Sequence, residues 1–330
     1  MSRKIIVIGN PVAGGGAGEK ICRAFSFLRN SGINAELKLT SRKGDAEAFA
    51  REASALPDAL VVAAGGDGTY NEVANGLINS GTPLAILPLG TTSVLARELG
   101  IPLNTETAIE IALSGKIEMV HMGRIILNPN SLPFEKETSQ RIATTRHFLL
   151  MTGIGYDGDA VYGVNEAFKK YSGRMAYITS GIRAIINYHP EPLIVRAHIE
   201  SLGHIEGGNF RLHPQYCSHG GDSLETTGYV VIVSKAACYG GDLKITPDAS
   251  LTSPYLYVFV SHKKRRLDLL RHLVAIISGK TLSLKDISYF RTDSVSIEGS
   301  SHIQLDGDYA GTAPARIDVV RNALKLVVPR

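Results

Sequence analysis

Tryptophan is absent, cysteine occurs three times, and no stretch of the 330 residues stays apolar long enough to cross a bilayer. Cys22, Cys217 and Cys238 are widely spaced, which excludes a disulfide framework. His213, Cys217 and His219 cluster, but their spacing fits no standard zinc pattern and lacks a fourth ligand, so the segment reads as a loop. The apolar run after the first residues is short and enters a glycine loop with no small-residue cleavage site, unlike a signal peptide. These absences imply a cytoplasmic protein. The 35 basic and 31 acidic side chains leave a net charge of +4, which permits attraction to anionic lipid or nucleotide. No nucleic-acid motif is present.

Glycine, by contrast, is plentiful and clusters at turns. In the first third, buried-type strands alternate with amphipathic segments. Strands are expected at residues 4–9, 35–40, 60–64 and 84–87, and helices around 21–28 and at 45–56, 70–78, 93–99 and 106–113. Such alternation predicts a parallel sheet with crossover helices. Ligands of such sheets collect where loops leave the carboxyl ends of the strands. After about residue 120, short alternating strands dominate, at 148–152, 193–198, 229–234, 255–260, 294–297 and 325–328. Helices are expected near 160–170, 174–188 and 267–278, and residues 128–141 read as a polar loop. The fold class is therefore an N-terminal parallel-sheet α/β nucleotide domain, residues 1–122, followed by an antiparallel β-sandwich, residues 123–311.

Three glycine-rich loops fall on the ligand-binding edge. The first, residues 10–16, contains neither G-x-G-x-x-G nor a Walker A pattern. It is either a phosphate-approaching loop before a helix N-terminus or a long turn. In the second, Gly65, Gly66 and Gly68 let backbone approach a ligand, and Asp67 offers oxygens to Mg²⁺ or its waters. Thr69 and Glu72 also fit a capping box, which competes with a ligand role for Glu72. The third, residues 88–92, sets hydroxyls before a helix that Thr92 or Ser93 could cap. Downstream, Asp306-Gly307-Asp308 by itself reads as a turn.

Taken in order, these features resemble the diacylglycerol kinase catalytic family, which includes sphingosine kinases and bacterial lipid kinases. The resemblance rests on Asn10, Pro11 and Gly14; on Thr40 with residues 44–46; and on residues 65–69 with Asn71 and Glu72. It continues through residues 88–92 with Ala96, residues 153–157, residues 239–241 with Pro247 and Ala249, and residues 305–308. It implies an α/β domain joined to a β-sandwich, ATP and Mg²⁺ as cofactors, and a chain end, about 312–330, that returns to the first domain. Ser93 stands where the family usually has Asn, and Asp308 where it has Glu. Residues 251–254 lack the family's Asp-Gly.

The resemblance implies that Asn10, Pro11, Gly14, Thr40, Gly65, Gly66, Asp67, Gly68, Thr69, Glu72, Gly90, Thr91 and Thr92 bind ATP, with Asp67 also in the Mg²⁺ shell. Asp308 takes the general-base position, and Asp306 orients it or the metal. The expected activity is transfer of the γ-phosphate to a hydroxyl of a membrane lipid such as diacylglycerol or a sphingoid base, with the enzyme peripheral on the inner membrane face. Two alternatives stay open: a soluble-substrate kinase like the NAD kinases, which share the Gly-Gly-Asp-Gly-Thr signature, and a non-catalytic nucleotide- or lipid-binding protein. The basic run 263–266 before an apolar helix suits either an anionic surface or a core-packed helix, and the sequence favours the latter.

Overall fold

The computed structural model describes residues 3–127, 144–162, 189–198, 210–220, 223–280 and 284–330. The polar stretch at 128–141 and the helix expected at 174–188 lie outside them, as does most of the one near 160–170. The chain divides into two compact units, Met1–Met122 with Arg321–Arg330, and Gly123–Val320.

The first unit alternates β1 (Lys4–Gly9), α1 (Ala17–Asn30), β2 (Ala35–Leu39), α2 (Asp45–Ser54), β3 (Ala59–Gly65), α3 (Asp67–Leu77) and β4 (Pro83–Pro88). Then come α4 (Val94–Glu98), α5 (Thr105–Ser114) and β5 (Lys116–Leu127), whose second half enters the other unit. The sheet runs β2-β1-β3-β4 with every pair parallel, and the chain's last strand adds beside β4 at Lys325 and Leu326. β3 and β4 are buried throughout, as strands covered on both faces must be. α1 buries Ala17, Ile21, Ala24 and Leu28 as one stripe. It stops where Gly32, at φ 72°, lets Ile33 N–H reach the Leu28 carbonyl. α2 and α3 approach closely because a Cβ on Gly76 would stand 2.4 Å from the Glu47 carbonyl oxygen.

The second unit is antiparallel. Its strands are β6 (Thr144–Phe148), β7 (Met151–Gly155), β8 (Leu193–His198), β9 (Cys217–Gly220), β10 (Ser223–Gly228), β11 (Val230–Ser234), the short pair β12 (Cys238–Tyr239) and β13 (Leu243–Lys244), and β14 (Leu256–Ser261). They continue with β15 (Ile287–Thr292), β16 (Ser294–Glu298), β17 (His302–Leu305), β18 (Asp308–Thr312) and the long β19 (Ala315–Val328). α6 (Tyr156–Tyr162) follows β7, and α7 (Arg266–Ile277) follows β14. One sheet runs β15-β14-β11-β7-β17-β18, and in the other β16 and β10 flank β8. Val195, Leu224 and Ile297 from one share a core with Val231, Val258 and Ile303 from the other, which makes the unit a sandwich.

Three expectations change. The strand expected at 148–152 is two strands with a break at Leu149 and Leu150. The strand expected at 325–328 is the end of a 14-residue one. The helix expected to pack into the core, α7, buries Leu269, His272 and Ala275 but leaves Leu267, Leu270, Val274 and Ile277 exposed.

Candidate active site

In a 2-1-3-4 parallel sheet the chain reverses its direction of winding between β1 and β3, which opens a crevice at the carboxyl ends of those strands. The loops leaving β1, β3 and β4 are stitched together there by backbone. Asn10 N–H donates to the Ala64 carbonyl, and Leu89 and Gly90 N–H both donate to the Gly65 carbonyl. Asn10 Nδ2 donates to the Thr69 hydroxyl at 3.3 Å. The buried Tyr70 hydroxyl donates to the Gly65 carbonyl at 2.6 Å.

Side chains are excluded from these junctions. A Cβ on Gly14 would lie 2.6 Å from the Leu89 carbonyl oxygen, and one on Gly90 would lie 2.8 Å from the Gly66 Cα. The Cβ positions of Gly15, Gly16 and Gly68 face open space. The crevice is thus lined by bare backbone, the surface that a phosphate chain can approach. Thr40 sits at the end of β2, its N–H bonded to the Gly9 carbonyl, and exposed Thr91 and half-buried Thr92 border the third loop. Pro11 follows Asn10 at the start of the first loop, where its ring lies against Gly18.

Asp67 and Glu72 have duties that the sequence did not reveal. α3 begins at Asp67, so no capping box forms at residues 69–72. Glu72 instead accepts the Gly44 N–H at 3.0 Å and ties α3 to the loop after β2. Asp67 reaches across to α4, accepting the Val94 and Leu95 N–H groups at 2.9 Å each. It is therefore the cap of that helix, and Ser93 is not: Ser93 holds φ 43° and gives its hydroxyl to the Gly90 carbonyl. Burial pushes the Asp67 carboxyl up, while the N–H bonds from Leu95 and Val94 oppose the shift.

A carboxylate with one N–H on each oxygen keeps a second lone pair on each. Among the described residues, no group of three or more His, Cys, Asp or Glu side chains gathers to hold a metal. The lone pairs left on Asp67 fit a contact to the hydration water of a Mg²⁺ ion.

In the second unit, Asp306 and Gly307 are the central residues of the β17–β18 hairpin, with positive φ of 47° and 89°, as a type I′ turn requires. The Asp306 carboxylate accepts Leu149, Leu150 and Met151 N–H at 2.8, 2.9 and 2.8 Å. Asp306 is therefore the clamp that breaks the strand at residues 149–150. Asp308 begins β18 and is half-buried.

Behind the turn lies a network of side chains that sequence reasoning missed. Gln304 accepts the Gly307 N–H at 2.8 Å and donates to Asp157 at 2.7 Å. Tyr239 donates its hydroxyl to the other Asp157 oxygen. Burial pushes the Asp157 carboxyl up, opposed by the Tyr239 and Gln304 hydrogen bonds. Asp157 and Tyr239 both lie in segments that carry the family resemblance, and Gln304 directly precedes another, residues 305–308, without being part of it.

His213 N–H bonds the Ser288 hydroxyl, which lies 3.5 Å from Cys217 Sγ. The His219 side chain is outside the described residues.

Comparison with known proteins covers nearly the whole chain. The diacylglycerol kinase catalytic domain matches residues 4–125, and the YegS C-terminal NAD kinase beta sandwich-like domain matches residues 151–328. The chain is 24% identical over 330 residues to a diacylglycerol kinase of Bacillus subtilis (strain 168), covering 98% of this chain and 96% of that one. A solved diacylglycerol kinase from Bacillus anthracis str. Sterne shares the fold at TM-score 0.67 and 20% identity, covering 99% of this chain and 97% of that one. Yeast NADH kinase, solved with NADH, shares it more distantly, at TM-score 0.52 and 12% identity, covering 100% of this chain and 84% of that one. The bare-backbone crevice in one unit and the acidic hairpin in the other thus fall within two matched domains that together span almost the entire sequence, and the chain belongs to the diacylglycerol kinase catalytic family, whose members are phosphotransferases acting on an alcohol group.

Proposed function

We propose that the protein transfers the γ-phosphoryl group of ATP to a hydroxyl of a membrane lipid, with diacylglycerol or a sphingoid base as the acceptor. The observation that carries this reading is the junction of three glycine loops at the β1/β3 reversal, where backbone replaces side chains. Phosphoryl transfer asks chiefly for positioning and charge neutralisation, and a cradle of N–H groups and hydroxyls provides both.

In this mechanism Asn10, Pro11, Gly14 and Thr40 border the nucleotide on the β1–β2 side, and Gly65, Gly66, Gly68 and Thr69 hold its phosphates. Gly90, Thr91 and Thr92 close the opposite side. Asp67 is the residue that would hold Mg²⁺, through the ion's hydration water, and the ion would supply neutralisation of phosphate charge. Asp67 also holds α4 in place, and Glu72 does the same for the loop after β2. Asp308 accepts the proton of the acceptor hydroxyl. A loose transition state leaves that proton in place until late, so a carboxylate suffices as base. Asp306 positions Asp308 by fixing the hairpin.

The test is incubation with γ-labelled ATP, Mg²⁺ and mixed micelles of diacylglycerol or sphingoid base, alongside NAD. Label in the lipid phase, lost in Asp308→Asn, supports the reading. Label in NAD alone overturns it and supports the soluble-substrate alternative that the yeast NADH kinase fold suggests.

A further inference from the structure

α7 is buried on the wrong side for its chemistry. Leu267, Leu270, Val274 and Ile277 are 77%, 46%, 58% and 58% exposed. At 100° per residue these four fall within a stripe about 80° wide. Single exposed leucines are ordinary, but a continuous stripe on one helix is not.

The helix is also locked against rolling to hide that stripe. His272, on the opposite face, sits 3.2 Å from both the Ser261 hydroxyl and the Asp286 carboxylate. Arg271 pairs with the same carboxylate. The segment leading into α7 is rooted as firmly: His262 Nδ1 lies 2.7 Å from the Thr227 carbonyl, and Nε2 lies 2.8 Å from the Ser288 hydroxyl. From that root Lys263, Lys264, Arg265 and Arg266 emerge, all exposed.

We propose that α7 and the basic segment before it form a membrane-docking surface that lies in the headgroup plane of an anionic bilayer. The apolar stripe enters the acyl boundary, and Lys263, Lys264 and Arg265 pair with lipid phosphates. Charge selects this occupant. A second copy of the chain docked on the same face would bring two such basic runs together, whereas an anionic bilayer satisfies both the stripe and the charges. Among the described residues no helix is long and apolar enough to cross a membrane, which fits in-plane docking. The purpose of docking, access to a lipid hydroxyl, rests on the function proposed above; the surface itself does not.

The test is sedimentation of the full chain with phosphatidylcholine vesicles, with and without phosphatidylglycerol, in the absence of ATP. The expected result is partition onto the anionic vesicles that falls by at least about a hundredfold in Lys263→Glu/Lys264→Glu/Arg265→Glu, since losing each basic charge costs roughly fivefold and each new carboxylate adds repulsion. Leu267→Asp/Val274→Asp/Ile277→Asp should lose partition as well, with turnover on a short-chain, monomerically dispersed lipid unchanged in both variants. Leu267→Gln, at the most exposed position, repeats the test should a triple variant fail to fold. Partition within twofold of wild type in these variants overturns the proposal. So does a wild-type dimer that Leu267→Gln dissociates while vesicle binding persists, which marks the face as self-associating. Failure of the lipid-kinase reading would register separately, as vesicle binding without lipid phosphorylation.

Discussion

Asp306 and Asp308 flank the same glycine, and their substitutions should differ sharply. Asp306 gives one oxygen to Leu150 and Met151 N–H and the other to Leu149 N–H. Asp306→Ala strands three backbone donors, each costing about 1–3 kcal/mol when buried. Alanine at a φ of 47° adds about 1 kcal/mol of backbone strain. Because the site is only half-buried and water reaches part of it, the sum should be about 3–5 kcal/mol. Asp306→Asn keeps the oxygen facing Leu150 and Met151 and sets an amide against Leu149 N–H, a loss of about 1–2 kcal/mol; asparagine tolerates positive φ. Asp308→Asn should unfold within about 0.5 kcal/mol of wild type yet lose most turnover. Urea unfolding measured beside a mixed-micelle kinase assay separates the two roles. An Asp306→Asn protein with the wild-type urea midpoint, but as inactive as Asp308→Asn, would refute the clamp and make Asp306 a direct participant.

Gly14→Ala puts a methyl 2.6 Å from the Leu89 carbonyl oxygen and should weaken ATP binding on the order of tenfold by calorimetry, since overpacking costs about 1–3 kcal/mol; unchanged affinity would separate this junction from the nucleotide. Gln304→Leu removes both the acceptor of the Gly307 N–H and the donor to Asp157, which frees the turn from the network. Turnover should fall about tenfold, or about 1.4 kcal/mol, with KM for ATP unchanged; an unaltered kcat would disconnect the network from the turn. Burial lowers the Lys235 pKa to about 7, and its ammonium donates to the Ser253 and Tyr255 carbonyls. Between that value and the unfolded value near 10.5 the unfolded chain binds the extra proton, so this residue's contribution to stability rises with pH across the window and is lowest below pH 7. Lys235→Met should flatten the rise of unfolding free energy between pH 7 and 9, and an identical slope would contradict the assignment.

β1, β3 and β4 were readable because each is a continuous apolar run that leads into a glycine loop, a pattern that parallel, doubly covered strands impose. The glycine loops were readable for the same reason: they mark strand ends. What the sequence hid was long-range. The break between β6 and β7 falls in an apolar Leu149-Leu150 pair, and its cause is a carboxylate more than 150 positions away. Asp67 looks local to its loop but caps a helix 27 residues on. The inward face of α7 could not be read from hydrophobicity, because the side turned inward is fixed by the polar contacts of His272 rather than by the most apolar side chains. β5 went unread because its residues do not keep a strict alternation.

The final strand has a consequence for how the molecule is made. From Arg321 onward the chain belongs to the same unit as β1–β4, and there Lys325 and Leu326 pair with Pro83 and Leu84. Asn322 and Ala323 fasten there too, to His121 and Asn79. During synthesis the parallel sheet therefore waits, its β4 edge unsatisfied, while about 240 further residues leave the ribosome. A bare strand edge invites pairing with a stranger, so a stalled or shortened translation product carries its hazard in the half already translated. The first unit to be started is the last to be closed.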